Sequence, residues 1–95
     1  MHQVIRIHAH GDRSVMQLET LILGELQAGE VLLRQTAIGV NFIDIYHRSG
    51  LYPLTMPSGL GVEACGVVEA LGLGVTEFKI GDRVAYAGGA VGAYA

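Results

Sequence analysis

Fourteen glycines in 95 residues are spread between short apolar runs instead of gathering in one block. Glycine placed this way punctuates turns and bulges, so the pattern constrains the chain to short strands joined tightly. Val4–His8 alternates apolar and polar residues, as a half-buried strand does. Glu30–Ile38 (EVLLRQTAI) sets Val31, Leu33 and Gln35 on one face. Val62–Leu71 (VEACGVVEAL) is apolar and β-branched around Gly66, where a strand glycine marks a bulge or a close backbone approach. Arg83–Ala87 follows a turn at Gly81–Asp82, and Val15–Leu23 carries a weaker β-like pattern. Leu51–Leu60 holds both prolines, Pro53 and Pro57, and reads as a loop. The expected class is mainly β, a barrel or sandwich with one short helix near 41–48.

Composition narrows the function classes. A hydrophobic content of 51% with 16% charged residues excludes a disordered segment. The net charge is −3 and the six basic residues are scattered, which gives no footprint for nucleic acid. No apolar run is long enough to span a membrane, and the opening MHQVIRIHAH lacks the apolar region of a secretory signal. The single cysteine, Cys65, allows no internal disulfide framework and fits a reducing, cytoplasmic setting. The chain stops at Gly92–Ala95 (GAYA) within sequence that reads as still entering structure. Residues 1–95 are therefore expected to be one partial domain, a fragment of a longer chain.

Polar chemistry concentrates in Gly39–Pro53, GVNFIDIYHRSGLYP. A capped helix accounts for much of it. Asn41 suits an N-cap, Asp44 falls at N3 where a carboxylate favours the positive helix end, and Gly50 is a natural stop. Asp44 and Arg48, four residues apart, are placed to pair. Phe42, Ile45 and Ser49 share one face, with Tyr46 beside it. A metal site is the weaker reading. His8 and His10 fall on one face of a strand, but no third ligand or zinc spacing accompanies them, so ordinary surface or half-buried histidines are expected. Gly59–Ala64 (GLGVEA) formally matches the dinucleotide fingerprint G-x-G-x-x-A. Prolines precede it, β-branched residues follow it, and Asp82 at the ribose-acid distance sits in a turn, so the match is read as accidental. Cys65 lies in an apolar run and is expected to be a small packed residue rather than a reactive thiolate.

Three stretches together resemble the medium-chain dehydrogenase/reductase superfamily: Gly39–Tyr52 (GVNFIDIYHRSGLY), Gly61–Gly72 (GVEACGVVEALG) and Gly81–Val84 (GDRV). Their order is similar to that of its N-terminal, GroES-like catalytic domain, and within it to the zeta-crystallin-like quinone oxidoreductases. The resemblance implies a partial GroES-like β-barrel, with the family's Rossmann domain outside these residues. It implies NADPH as cofactor, most of whose site would lie elsewhere, and a quinone or enone as substrate. It places Asn41, Tyr46 and Tyr52 at the nicotinamide end of the cleft. Asp44, Arg48, Glu63, Gly81 and Asp82 belong to the motifs as structural residues, with Asp44 and Arg48 paired and Glu63 bonding backbone or positioning the cleft. Zinc-dependent members carry a metal-binding Cys where Asn41 stands and a metal-binding His where Val62 stands, so the resemblance implies no zinc.

The intact protein is thus expected to be an NADPH-dependent, zinc-independent quinone reductase, with the 95 residues alone inactive. Two alternatives stay open: a zinc-free enone or enoyl reductase of the same superfamily, and a non-enzymatic GroES-like β module. Homodimers are common in the family and are possible for the intact protein.

Overall fold

The computed structural model describes residues 2–89 and 91–95. Among them, six strands form two three-stranded antiparallel sheets, and one α-helix lies between the third and fourth strands in sequence. The strands are β1 (His2–Ile7), β2 (Gln17–Leu21), β3 (Val31–Ile38), β4 (Ser58–Gly59), β5 (Glu63–Leu71) and β6 (Arg83–Ala87). The helix, α1, is Phe42–Ser49. One sheet runs β2-β1-β4 and the other β3-β5-β6.

β5 shows why its sequence chooses a strand. Ala64, Gly66 and Val68 alternate inward along its length. Gly66 is required there. A Cβ would overlap the Arg34 carbonyl and lie 2.9 Å from Gln35 Cα. The β3–β5 register shifts between Gln35 and Ala37, beside that close approach, and again between Leu32 and Leu33. Both features expected of Gly66 therefore occur together.

Val15–Leu23 divides into a 3₁₀ turn, Arg13–Val15, and β2. The division follows from Asp12, whose carboxylate accepts the Ser14 N–H (2.9 Å) and the Ser14 hydroxyl. That bonding holds the Asp12 carboxyl below its usual range. The expected loop 51–60 contains a two-residue strand. Ser58 and Gly59 pair with Ile7 and Arg6 of β1.

Residues 91–95 strap the two sheets. Tyr94 N–H donates to Leu60 O and Ile5 N–H donates to Tyr94 O, each at 2.8 Å. From β3, the Gln35 amide donates to the carbonyls of Ala93 (2.9 Å) and Ala95 (3.0 Å). The buried apolar core among the described residues is Val4, Ile7, Leu60, Ala64, Val68 and Ala93. Among the described residues, only Ile7, Leu60 and Val68 are large and fully buried. At about 1.5–3 kcal/mol for each fully buried aliphatic side chain, this is a thin core. No helix among the described residues is long and apolar enough to cross a membrane.

Candidate functional site

The polar cluster folds into α1 and the loop after it. Asn41 is the N-cap, with extended backbone (φ −131°, ψ 156°). Asp44 N–H donates to the Asn41 carbonyl (3.0 Å), and Asn41 N–H donates to the Asp44 carboxylate (3.0 Å). Asp44 thus closes the helix start from N3, satisfying a donor that has no intrahelical partner. Gly50 ends the helix in the left-handed region (φ 93°), its N–H donating to Tyr46 O at 3.2 Å. The same carbonyl accepts the Tyr52 N–H at 3.2 Å, so one oxygen ties the two tyrosines' backbones together. Their rings meet edge to face, with centroids 5.6 Å apart at 82°. Such a pair is favourable beyond its burial, by about 0.5–1.5 kcal/mol.

The expected Asp44–Arg48 pair does not form. Asp44 is 4% exposed and takes the Tyr94 hydroxyl at 2.6 Å. Arg48 turns the other way, and its Nε donates to Gly11 O at 3.3 Å while Gly11 N–H donates to Arg48 O at 2.9 Å. Each charged group has found a longer-range partner with better shielding than an exposed i,i+4 contact offers. Burial, followed by the Asp44 hydrogen bond and charge, pushes the Tyr94 hydroxyl up to about 12.

α1 is inverted relative to an ordinary surface helix. Its polar residues Asp44 and His47 are buried, at 4% and 9% exposure, while Phe42 and Tyr46 are 79% and 38% exposed. Tyr52, at 51%, continues the same outward aromatic surface, and Val40, Ile45 and Leu51 are exposed around it. The usual arrangement turns the apolar stripe to the core. Here an aromatic surface faces outward, its two tyrosine rings set nearly at right angles so that a planar ligand would meet the face of one and the edge of the other.

Asn41 caps the start of α1, and its Nδ2 is buried without a hydrogen-bond partner, as are Asp44 Oδ1 and His47 Nδ1. Tyr46 and Tyr52 are brought together by α1 and its exit loop, whereas no contact joins Asn41, at the other end of the helix, to either ring. None of Asn41, Tyr46 and Tyr52 lines the cavity of about 920 Å³ that opens beside Val4, Ile5, Leu33, Gln35 and Val91.

Other residues singled out in sequence fall elsewhere. The Glu63 main-chain carbonyl accepts the Gly39 N–H (3.1 Å), and its side chain lies over Gly39, where any Cβ would overlap it. Backbone bonding at this position comes from the main chain of Glu63. Gly81 (φ 96°) and Asp82 form the turn into β6, where the Asp82 carboxylate accepts the Lys79 N–H at 2.9 Å. Gly81 N–H donates to Val68 O, and Val68 N–H donates to Asp82 O. His8 Nε2 bonds the Glu19 carboxylate (2.5 Å), whereas His10 Nε2 accepts the Leu54 N–H (3.1 Å), so the two rings do not converge. A strand, not a helix, follows the glycines of GLGVEA. Sequence reasoning gave no weight to Tyr94, which lies 50 residues from Asp44. No local pattern marks that pairing.

An open antiparallel β domain carrying one inverted, aromatic-faced helix is the class of structure defined so far. Residues 27–94 match the model of the alcohol dehydrogenase GroES-like domain. The chain belongs to that family. It is 52% identical over 95 residues to a quinone oxidoreductase of Pseudomonas aeruginosa, covering 99% of this chain and 29% of that one. A 2-haloacrylate reductase of Burkholderia is 45% identical over 92 residues, covering 93% and 28%. Among solved structures, Escherichia coli quinone oxidoreductase complexed with NADPH superposes with a TM-score of 0.94 at 46% identity, covering 99% of this chain and 29% of that one. The chain spans less than a third of the length of these relatives.

Proposed function

We propose that these 95 residues form the N-terminal catalytic-domain segment of a longer NADPH-dependent quinone reductase, acting without zinc, and that Asn41, Tyr46 and Tyr52 meet the nicotinamide end of the cofactor. The observation that carries this reading is the outward aromatic wall of α1 and its exit loop. Edge-to-face Tyr46 and Tyr52 offer aromatic surface with polar tips, and the Asn41 amide, whose Nδ2 is buried in these 95 residues, carries both a donor and an acceptor. NADPH, when bound, supplies a hydride. The residues on this chain orient the ring and shield it, which is the protein's share in cofactor chemistry. A quinone is already a strong acceptor, and water can protonate its reduced oxygens, so no Lewis acid is called for. Where zinc-dependent members need a thiolate and an imidazole, this chain has the amide of Asn41 and the aliphatic Val62, which do not suit zinc.

Steady-state oxidation of NADPH by the intact gene product with a simple benzoquinone tests the assignment. Turnover is expected, with Tyr52→Ala raising the KM for NADPH. Absence of turnover with benzoquinone, alongside turnover of another acceptor, rejects the quinone.

The likeness to 2-haloacrylate reductase favours a second reading, reduction of an activated C=C bond at the same wall. Running 2-chloroacrylate and a simple enone beside benzoquinone separates the two by kcat/KM. A saturable micromolar Kd for NADPH measured on the 95-residue chain alone would contradict the view that most of the cofactor site lies outside it.

A further inference from the structure

The Tyr94 hydroxyl and the Asn41 N–H meet on one oxygen, Oδ2, of a buried carboxyl group. The Asp44 carboxylate accepts the Tyr94 hydroxyl at 2.6 Å and the Asn41 N–H at 3.0 Å. Its second oxygen and the Asn41 Nδ2 are buried with no hydrogen-bond partner. An acceptor in this position is held by few donors, and losing one of them leaves it free to turn. Tyr94 itself is held firmly. Its main chain bonds Leu60 and Ile5, and its ring packs so closely on Gly61 that a Cβ there would lie 2.5 Å from Cδ1 and 2.8 Å from Cε1. The hydroxyl therefore reaches Asp44 from a fixed frame.

We infer that Tyr94 is a positioning residue for the Asn41 site: through the Asp44 carboxylate, its hydroxyl sets the N-cap backbone of α1 and hence the place of the Asn41 amide. The functional part of this inference rests on Asn41 meeting the nicotinamide. The linkage from Tyr94 to Asn41 does not.

The chain of contacts has two links, and each can be cut alone. Tyr94→Phe keeps the ring that packs on Gly61 and removes the oxygen that meets Asp44. Asp44→Asn keeps the shape and removes the charge. In the intact gene product, both are expected to raise the KM for NADPH about tenfold and to leave kcat within about twofold, as the loss of a hydrogen bond to a charged group permits. The double variant is expected to be no worse than Asp44→Asn, because both cuts break one path. Where Asp44→Asn does not fold, Tyr94→Phe carries the test. Unchanged KM in folded variants, or effects that simply add, would overturn the inference.

A second readout is independent of any cofactor. Amide hydrogen exchange at Asn41 is expected to accelerate about tenfold in Tyr94→Phe relative to the Val68 amide, whose partner is the Asp82 carbonyl. Equal acceleration at both amides, or none at Asn41, overturns the linkage. If the wild type neither binds nor oxidises NADPH, the proposed function fails, and the exchange result alone judges the link from Tyr94 to Asn41.

Discussion

Tyr94 makes a prediction about alkaline stability whose sign is set by its surroundings. Its hydroxyl is held at about 12 by burial first and by Asp44 second, against an ordinary value of 10.0. A group with a raised folded value stabilises the fold fully below its unfolded value and loses that contribution as pH climbs through the folded one. The contribution is therefore present up to about pH 10 and is lost between about pH 10 and 12. Tyr86, also raised by burial, adds in the same direction. Denaturant unfolding across that range is expected to show a shallower decline for Tyr94→Phe than for the wild type. Parallel declines would contradict it. Gly61 is the residue on which this arrangement depends sterically, since it sits at φ 93° against the Tyr94 ring. Gly61→Ala is expected to cost about 1–3 kcal/mol in the same unfolding assay. The pairing of Asp44 with Tyr94 was not legible in the sequence. Sequence proximity favoured Arg48, four residues away, whereas the real partners of Asp44 and Arg48 lie 50 and 37 residues off. Pairings at that range are decided by the fold.

At the scale of the element, α1 separates what a pattern can say from what it cannot. Its ends were readable because capping is local. Asn41, Asp44 and Gly50 lie within one ten-residue window, and each has a short-range reason for its place. Its apolar stripe was readable too, from Phe42 through Ile45 to Tyr46. The side to which that stripe turns was not readable, because periodicity marks a stripe and leaves its direction to packing. Phe42→Ser should accordingly leave stability within about 0.5 kcal/mol, as for an exposed site, even though it removes a phenylalanine. A loss above about 2 kcal/mol in thermal unfolding would mean that the stripe is packed. Gly50→Ala should behave in the opposite way. The left-handed backbone and the His10 ring, 3.0 Å from the added carbon, make a cost of about 1–2 kcal/mol the expected result. In β5, Gly66 was legible as an irregularity in an apolar run. The structure adds which backbone it meets, that of Arg34 and Gln35.

For the whole molecule, the balance is between a thin core and much exposed apolar surface. Three large side chains are fully buried, while Ile22, Val40, Phe42, Leu73 and Ile80 are largely open to solvent. A domain with so little burial has small reserves against chain entropy. The isolated 95-residue chain is expected to unfold below the range of about 45–65 °C common to mesophile domains, and to bind a hydrophobic dye in native buffer. A sharp transition above that range without dye binding would refute this. The overall class was legible because glycine-spaced β-branched runs leave few alternatives to short antiparallel strands. The strap at 91–95 was not. GAYA carries almost no periodic signal, and its role comes from carbonyl and amide groups that every sequence possesses.

That strap and the Arg48–Gly11 contacts have a mechanical consequence. One braces α1 against β1 and the other against the loop that follows β1. At its start the helix is tied through Asp44 and Tyr94 to Ile5 of β1, and at its end through Arg48 to Gly11, just beyond β1. A helix tethered at one end swings like a lever. Tethered at one end to β1 and at the other to the loop after it, the helix becomes a fixed shelf, and an arriving planar ring encounters it already in place. Little freedom remains to be surrendered on contact, so recognition there is expected to resemble lock-and-key more than closing jaws.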